Sequence, residues 1–245
     1  MIPVEICIEA SEPAAVTQAT GAAYHGGAAT VELCAAMALD GLTPSPDCLA
    51  AARQAFGQRP GLMAMIRPRA GDFGYTPDEL ALMAAQIDAA ARDGADGVVF
   101  GVLRAADQRI DSAANRRLLT AAHERGLKAT FHRAFDATPD PDAALDTLIE
   151  LGFDRVLTSG LPWGQPGTAL DGATRLARTI LRAGDRIEVV VGGGINPANV
   201  GPLLPQLPLG AGRVSIHAYS GAQIGGRTAI EAVRALVAAA DVKGG

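Results

Sequence analysis

At 245 residues with 49% hydrophobic content, the chain is long enough to bury one large core. A formal net charge of −5, with Lys and Arg scattered, argues against a nucleic-acid or anionic-membrane surface, and 4% aromatics leave few platforms for stacking bases. Three cysteines do not make a disulfide framework, no apolar run approaches the length of a bilayer span, and residues 1–5 show no basic leader, so a reduced cytoplasmic protein is expected.

Short apolar runs that read as strands recur at 4–8, 30–34, 62–67, 97–103, 128–135, 155–159, 187–191 and 213–217. Ala-rich helical segments such as 112–125, 140–151 and 172–183 lie between them. This alternation predicts βα units and a parallel sheet. Gly94, Gly126 and Gly152 sit where helix C-caps would lead into the next strand. Eight such units in a chain of this length predict a TIM (β/α)8 barrel, α/β in class. An open doubly wound sheet is the alternative, but its Gly-rich turn after the first strand is missing. No linker-like tract divides the chain, so one domain over residues 1–245 is expected.

In a barrel the C-terminal strand ends carry the chemistry. The first strand reads Val4-Glu5-Ile6-Cys7-Ile8-Glu9, and its period of two turns Val4, Ile6 and Ile8 towards the helices and Glu5, Cys7 and Glu9 inward. By the same parity Glu32 and Cys34 point inward from the second strand. Buried carboxylates need partners, and Arg67 and Arg69 after the third strand are the expected ones; a structural ion pair at the rim is the plainer role for both glutamates. Gly101 leaves room within the fourth strand for a ligand or another backbone. The fifth strand runs into Phe131-His132-Arg133-Ala134-Phe135-Asp136, which brings His132, Arg133 and Asp136 to the mouth; the plainer reading is a core histidine beside a surface Arg–Asp pair. Trp163, flanked by Pro162 and Gly164, reads as an apolar lid. Gly192, Gly193 and Gly194 open onto a helix start at Asn196-Pro197, which suits an anion, although a tight turn would use the same residues. His217 ends the eighth strand, and Ser220 follows in its loop.

With these residues in view, the chain resembles the copper homeostasis protein CutC family. The matching blocks are Val31-Glu32-Leu33-Cys34-Ala35, Gly41-Leu42-Thr43-Pro44-Ser45, Ile66-Arg67-Pro68-Arg69 with Gly71-Asp72-Phe73, Gly101-Val102-Leu103, Phe131-His132-Arg133-Ala134-Phe135-Asp136 and Arg155-Val156-Leu157-Thr158-Ser159-Gly160. They run through the chain in the family's order. The resemblance implies a cytoplasmic TIM barrel, often a homo-oligomer, linked to copper handling, with Cys7 and Cys34 in the positions that the family associates with Cu(I). Residues 21–27 look longer than the family's segment and the loop after Ser220 looks shorter. Ala218 stands where the family usually has Ser.

Three functions are weighed. The first is copper homeostasis, with a Cu(I) ion held by the inward thiols Cys7 and Cys34; soft thiolates select Cu(I), although free cysteines commonly serve as core packing, as Cys48 is expected to do. The second is an enzyme acting on a small anionic, phosphorylated-sugar-like substrate. Glu5, Glu32, Arg67, His132, Asp136 and His217 would then be the catalytic groups, and Gly192, Gly193, Gly194 and Ser220 the anion site. The third is an interaction protein on a barrel scaffold, which predicts no convergent pocket. Copper homeostasis is the role expected, with the enzyme as the alternative.

Overall fold

The alternation of strand and helix closes on itself. In a computed structural model, which describes residues 1–241, eight parallel strands pair in sequence order and the last pairs with the first. The strands are β1 (Val4–Glu9), β2 (Thr30–Cys34), β3 (Leu62–Met65), β4 (Gly97–Phe100), β5 (Lys128–Phe131), β6 (Arg155–Thr158), β7 (Glu188–Val191) and β8 (Val214–Ala218). The helices are α1 (Pro13–Gly26), α2 (Pro46–Phe56), α3 (Pro77–Arg92), α4 (Ser112–Glu124), α5 (Pro141–Leu151), α6 (Ala173–Ala183), α7 (Pro197–Leu203) and α8 (Ile230–Ala239). The expected TIM barrel is what the chain forms.

Local chemistry sets the boundaries. Side chains of Ser45, Thr76, Asp111, Asp140 and Asn196 accept backbone N–H groups at the starts of α2, α3, α4, α5 and α7, and Thr76 with Glu79 forms a full capping box. Gly94, Gly126 and Gly152 take positive φ angles after α3, α4 and α5, as their positions predict. Residues 21–26 complete α1, and Gly27 caps it.

Several strands are shorter than their apolar runs suggest. β3 stops at Met65 because Pro68 follows and the Arg67 N–H turns to the Thr43 hydroxyl instead of a neighbouring strand. β5 stops at Phe131 because the ring nitrogen Nδ1 of His132 accepts from the Ala134 N–H and starts a 3-10 turn over Arg133–Ala137. After β8 a 3-10 turn, Ser220–Ala222, leads to a small hairpin of β9 (Gln223–Ile224) and β10 (Arg227–Thr228).

The apolar residues divide into two compartments. Val4, Ile6, Ile8, Leu33, Phe56, Leu62 and Met83 belong to the large layer between strands and helices, each buried side chain contributing on the order of 1.5–3 kcal/mol. Inside the barrel lies a small separate cluster of Cys7, Cys34, Met63, Met65 and Val99. The period-two reading of β1 and β2 is therefore correct: Val4, Ile6 and Ile8 face the helices, while Cys7 and Cys34 face the axis. Glu9 keeps the same parity but ends β1 exposed at the rim, where its carboxylate accepts from Met37 N and Tyr219 Oη at the mouth.

Candidate functional site

The lower interior of the barrel is ionic. Arg155, the first residue of β6, is buried and sends Nη1 to Glu5 Oε2 at 2.7 Å. Thr30 Oγ1 donates to the same oxygen at 2.9 Å, and Arg155 Nε approaches Glu188 Oε1 at 3.4 Å. Ser215 Oγ donates to that Glu188 oxygen at 2.6 Å. This corrects the expected pairing of the glutamates with Arg67 and Arg69. Glu5 is the second residue of β1, deep in the barrel, whereas Arg67 lies past the end of β3 at the mouth. There Arg67 donates to the carbonyls of Leu39, Gly41 and Gly71, and Arg69 pairs with Glu79 and Asp72.

Above this floor the inward residues of β1, β2 and β8 converge. His217 Nδ1 lies 2.9 Å from Glu5 Oε1 and 3.3 Å from Glu32 Oε2. Donor atoms of Glu5, Glu32 and His217 lie within 4.8 Å of one another, and so do those of Cys7, Glu32 and Cys34. Glu32 joins the two sets. The Met37 thioether stands 3.8 Å from Cys7 Sγ.

Burial opposes charge on Glu5, but Arg155 and His217 outweigh it and hold that carboxyl well below the usual range. Burial, reinforced by Cys7 and Glu5, pushes Glu32 up to about 8, with His217 and Arg155 only partly opposing. Burial also works against an imidazolium at His217, yet Glu32, Cys7 and Glu5 around it hold its pKa well above the ordinary value. A hydrogen bond from the Cys34 thiol, stronger than the effect of burial and helped by His217, brings Cys7 down to about 6. The same hydrogen bond, together with burial, pushes Cys34 well up. The interior thus brings two thiols, two carboxyl groups, an imidazole and a guanidinium within reach of one another.

A cavity of about 300 Å³ lies over these groups. Cys7, Glu32, Cys34 and His217 line it, as do Arg67, His132, Arg133, Trp163, Gly193, Gly194 and Ser220. His132 is buried against Phe73, with ring centroids 5.0 Å apart, and burial with Arg67 nearby lowers its pKa to about 3. Its ring is neutral, and since Nδ1 accepts from Ala134, Nε2 carries the proton. Trp163 stands edge-on to Phe73 at 5.2 Å and under the Arg133 guanidinium at 5.3 Å, at the cavity wall.

Three of the candidate residues stand outside the lining. Glu5 lies beneath it. Gly192 packs below the mouth, where an added methyl would sit 2.8 Å from Leu157. Asp136 is buried behind the wall, accepting from Ser159 N and Oγ, Thr158 Oγ1 and Arg133 Nε. Gly101 serves the protein itself, because a methyl there would meet His132 Nδ1 at 2.8 Å and Phe131 at 2.9 Å. Arg155 and Met37 are the residues that sequence reasoning missed. Alternation does place Arg155 inward beside Leu157, but no local pattern announces Met37.

This is a parallel barrel whose mouth opens over a well of thiols and carboxylates, whose donor atoms lie close enough together to hold a metal ion. The chain belongs to the CutC family, whose model matches residues 2–222. It is 43% identical over 189 residues to the family protein CutC of Sinorhizobium medicae, covering 77% of this chain and 73% of that one. It is 41% identical over 213 residues to the human copper homeostasis protein cutC homolog, covering 87% and 71%. The solved structure of CutC from Streptococcus agalactiae matches with a TM-score of 0.76 and 31% identity, covering 89% of this chain and 98% of that one.

Proposed function

We propose that this chain serves copper homeostasis by holding one Cu(I) ion between Cys7 and Cys34 at the base of the barrel cavity. The observation that carries this reading is the convergence of the two thiols with Glu32 inside 4.8 Å, beneath a cavity large enough to admit an ion. The donor set fits: thiolate sulfur is the ligand type that selects Cu(I), and Cys7 is already the more acidic thiol of the pair. Glu32 Oε1 is buried without a hydrogen-bond partner, which leaves one oxygen of the third group uncommitted. Relatives named for copper homeostasis support the same role. Thiols kept reduced suit a cytoplasmic setting, and among the described residues no helix is long and apolar enough to cross a membrane.

The test is an anaerobic Cu(I) competition titration against a strong chelator, run on the wild type and on the folded Cys7→Ser/Cys34→Ser double variant. Stoichiometric binding that the double variant loses supports the site. Equal binding by both proteins makes the two cysteines core packing and removes the proposal.

A second reading, a small anionic ligand in the same cavity, rests on one observation. Arg67 Nε and His132 Nε2 are both buried without a partner, and both residues line the cavity beside Gly193, Gly194 and Ser220. Phosphate would be the first probe, followed through the His132 Nε2–H resonance. A resonance that does not move at saturating phosphate removes this reading.

A further inference from the structure

The loop after β2 is built in an unusual way. Ala35 and Leu42 exchange two backbone hydrogen bonds, and everything between them is compressed into one tight excursion. Ala36 and Asp40 adopt left-handed backbone angles, φ +49° and +63°, on either side of a 3-10 turn over Met37–Leu39. Side-chain-bearing residues rarely adopt that region, and such conformations persist only where the surroundings hold them. Here two charged residues do so. Glu9 Oε1 accepts from the Met37 N–H at 3.3 Å while its other oxygen accepts from Tyr219, and Arg67 Nη1 donates to the carbonyls of Leu39 and Gly41. The turn is clamped from both sides of the mouth.

The clamp delivers one atom to the centre of the barrel. Met37 Sδ lies 3.8 Å from Cys7 Sγ. Gly41, at φ +83°, is the backbone against which the other sulfurs gather: a methyl there would sit 3.3 Å from Cys34 Sγ and 3.7 Å from Met37 Sδ. A methyl at that position would be tight against Cys34 and in ordinary contact with Met37 Sδ. Met37 lines the cavity together with the two cysteines and packs on the small interior cluster.

We propose that Met37 is the third sulfur ligand of the Cu(I) site, its thioether completing a three-sulfur set with Cys7 and Cys34. This inference rests on the copper reading above. A neutral thioether supplies a soft donor without adding charge to a pocket that already holds Glu32 and two thiols. Ordinary packing would account for the contact if Met37 merely filled space, as methionine readily does. The two roles separate experimentally, because Met37→Leu keeps volume and apolarity and removes only the sulfur.

The experiment uses selenomethionyl protein loaded with one equivalent of Cu(I), with X-ray absorption read at the copper and selenium edges. Wild type, Met37→Leu and Met65→Leu are compared, and affinities are measured in parallel by chelator competition. The expected result is a Cu–Se contribution in the wild type and in Met65→Leu that vanishes in Met37→Leu. Affinity should fall there by no less than the tenfold to hundredfold, roughly, that follows loss of a ligand's supporting partner. If Cu(I) binds to the wild type without a Cu–Se contribution, or the contribution survives in Met37→Leu, Met37 is not a ligand while the cysteine site stands. If the wild type takes up no Cu(I), the copper reading fails and this inference goes with it.

Discussion

Arg155 Nη1 and Glu5 Oε2 meet at 2.7 Å across the floor of the barrel, joining residues 150 positions apart. Both side chains are almost fully buried, so removing one strands the other. Arg155→Met is expected to lower stability by about 3–5 kcal/mol at neutral pH. Urea denaturation with an unchanged m-value measures it. A loss below about 1 kcal/mol would mean that His217 alone suffices to hold the Glu5 charge.

His132 supplies a pH signature. Its folded-state value of about 3 lies below the unfolded value near 6.5, so the unfolded chain takes up the proton first as pH falls. Stability from this group is complete above pH about 6.5 and declines by up to about 1.4 kcal/mol per pH unit on the way down to about 3. His132→Gln should flatten that part of the curve. Denaturation midpoints of both proteins, taken at several pH values in this window, check it, and parallel curves would contradict it.

Asp136 separates structure from site. Four donors converge on its carboxylate from Ser159, Thr158 and Arg133, and none of them belongs to the thiol cluster. Asp136→Asn sets an amide N–H against those donors and should lower stability by about 1–3 kcal/mol. Cu(I) affinity should stay at the wild-type value. A folded variant with weakened metal binding would tie Asp136 to the chemistry of the mouth.

Much of this arrangement is legible in the amino-acid order, for physical reasons. Strand alternation has a strict period, so once Val4, Ile6 and Ile8 are assigned to the helices, Glu5 and Cys7 must face the axis, and Glu32, Cys34 and His217 follow. What alternation cannot supply is reach. It places Arg155 inward, but not the span of its guanidinium across the axis to Glu5, and the place of Arg67 at the end of the third strand wrongly favoured it as the partner. Nor does parity extend into turns. Met37 reaches the thiols only because Ala36 and Asp40 adopt a backbone region that their residue types do not advertise. The early end of β5 is of the same kind: His132 caps its own 3-10 turn, a use of the ring that a strand pattern does not encode.

Glu5, Arg155 and Glu188 form an ionic layer across the barrel below the thiols. Whatever enters past Phe73 and Trp163 meets paired charges below the thiols. On the copper reading proposed above, an ion held at the thiols would have these fixed charges directly beneath it and the mouth above it.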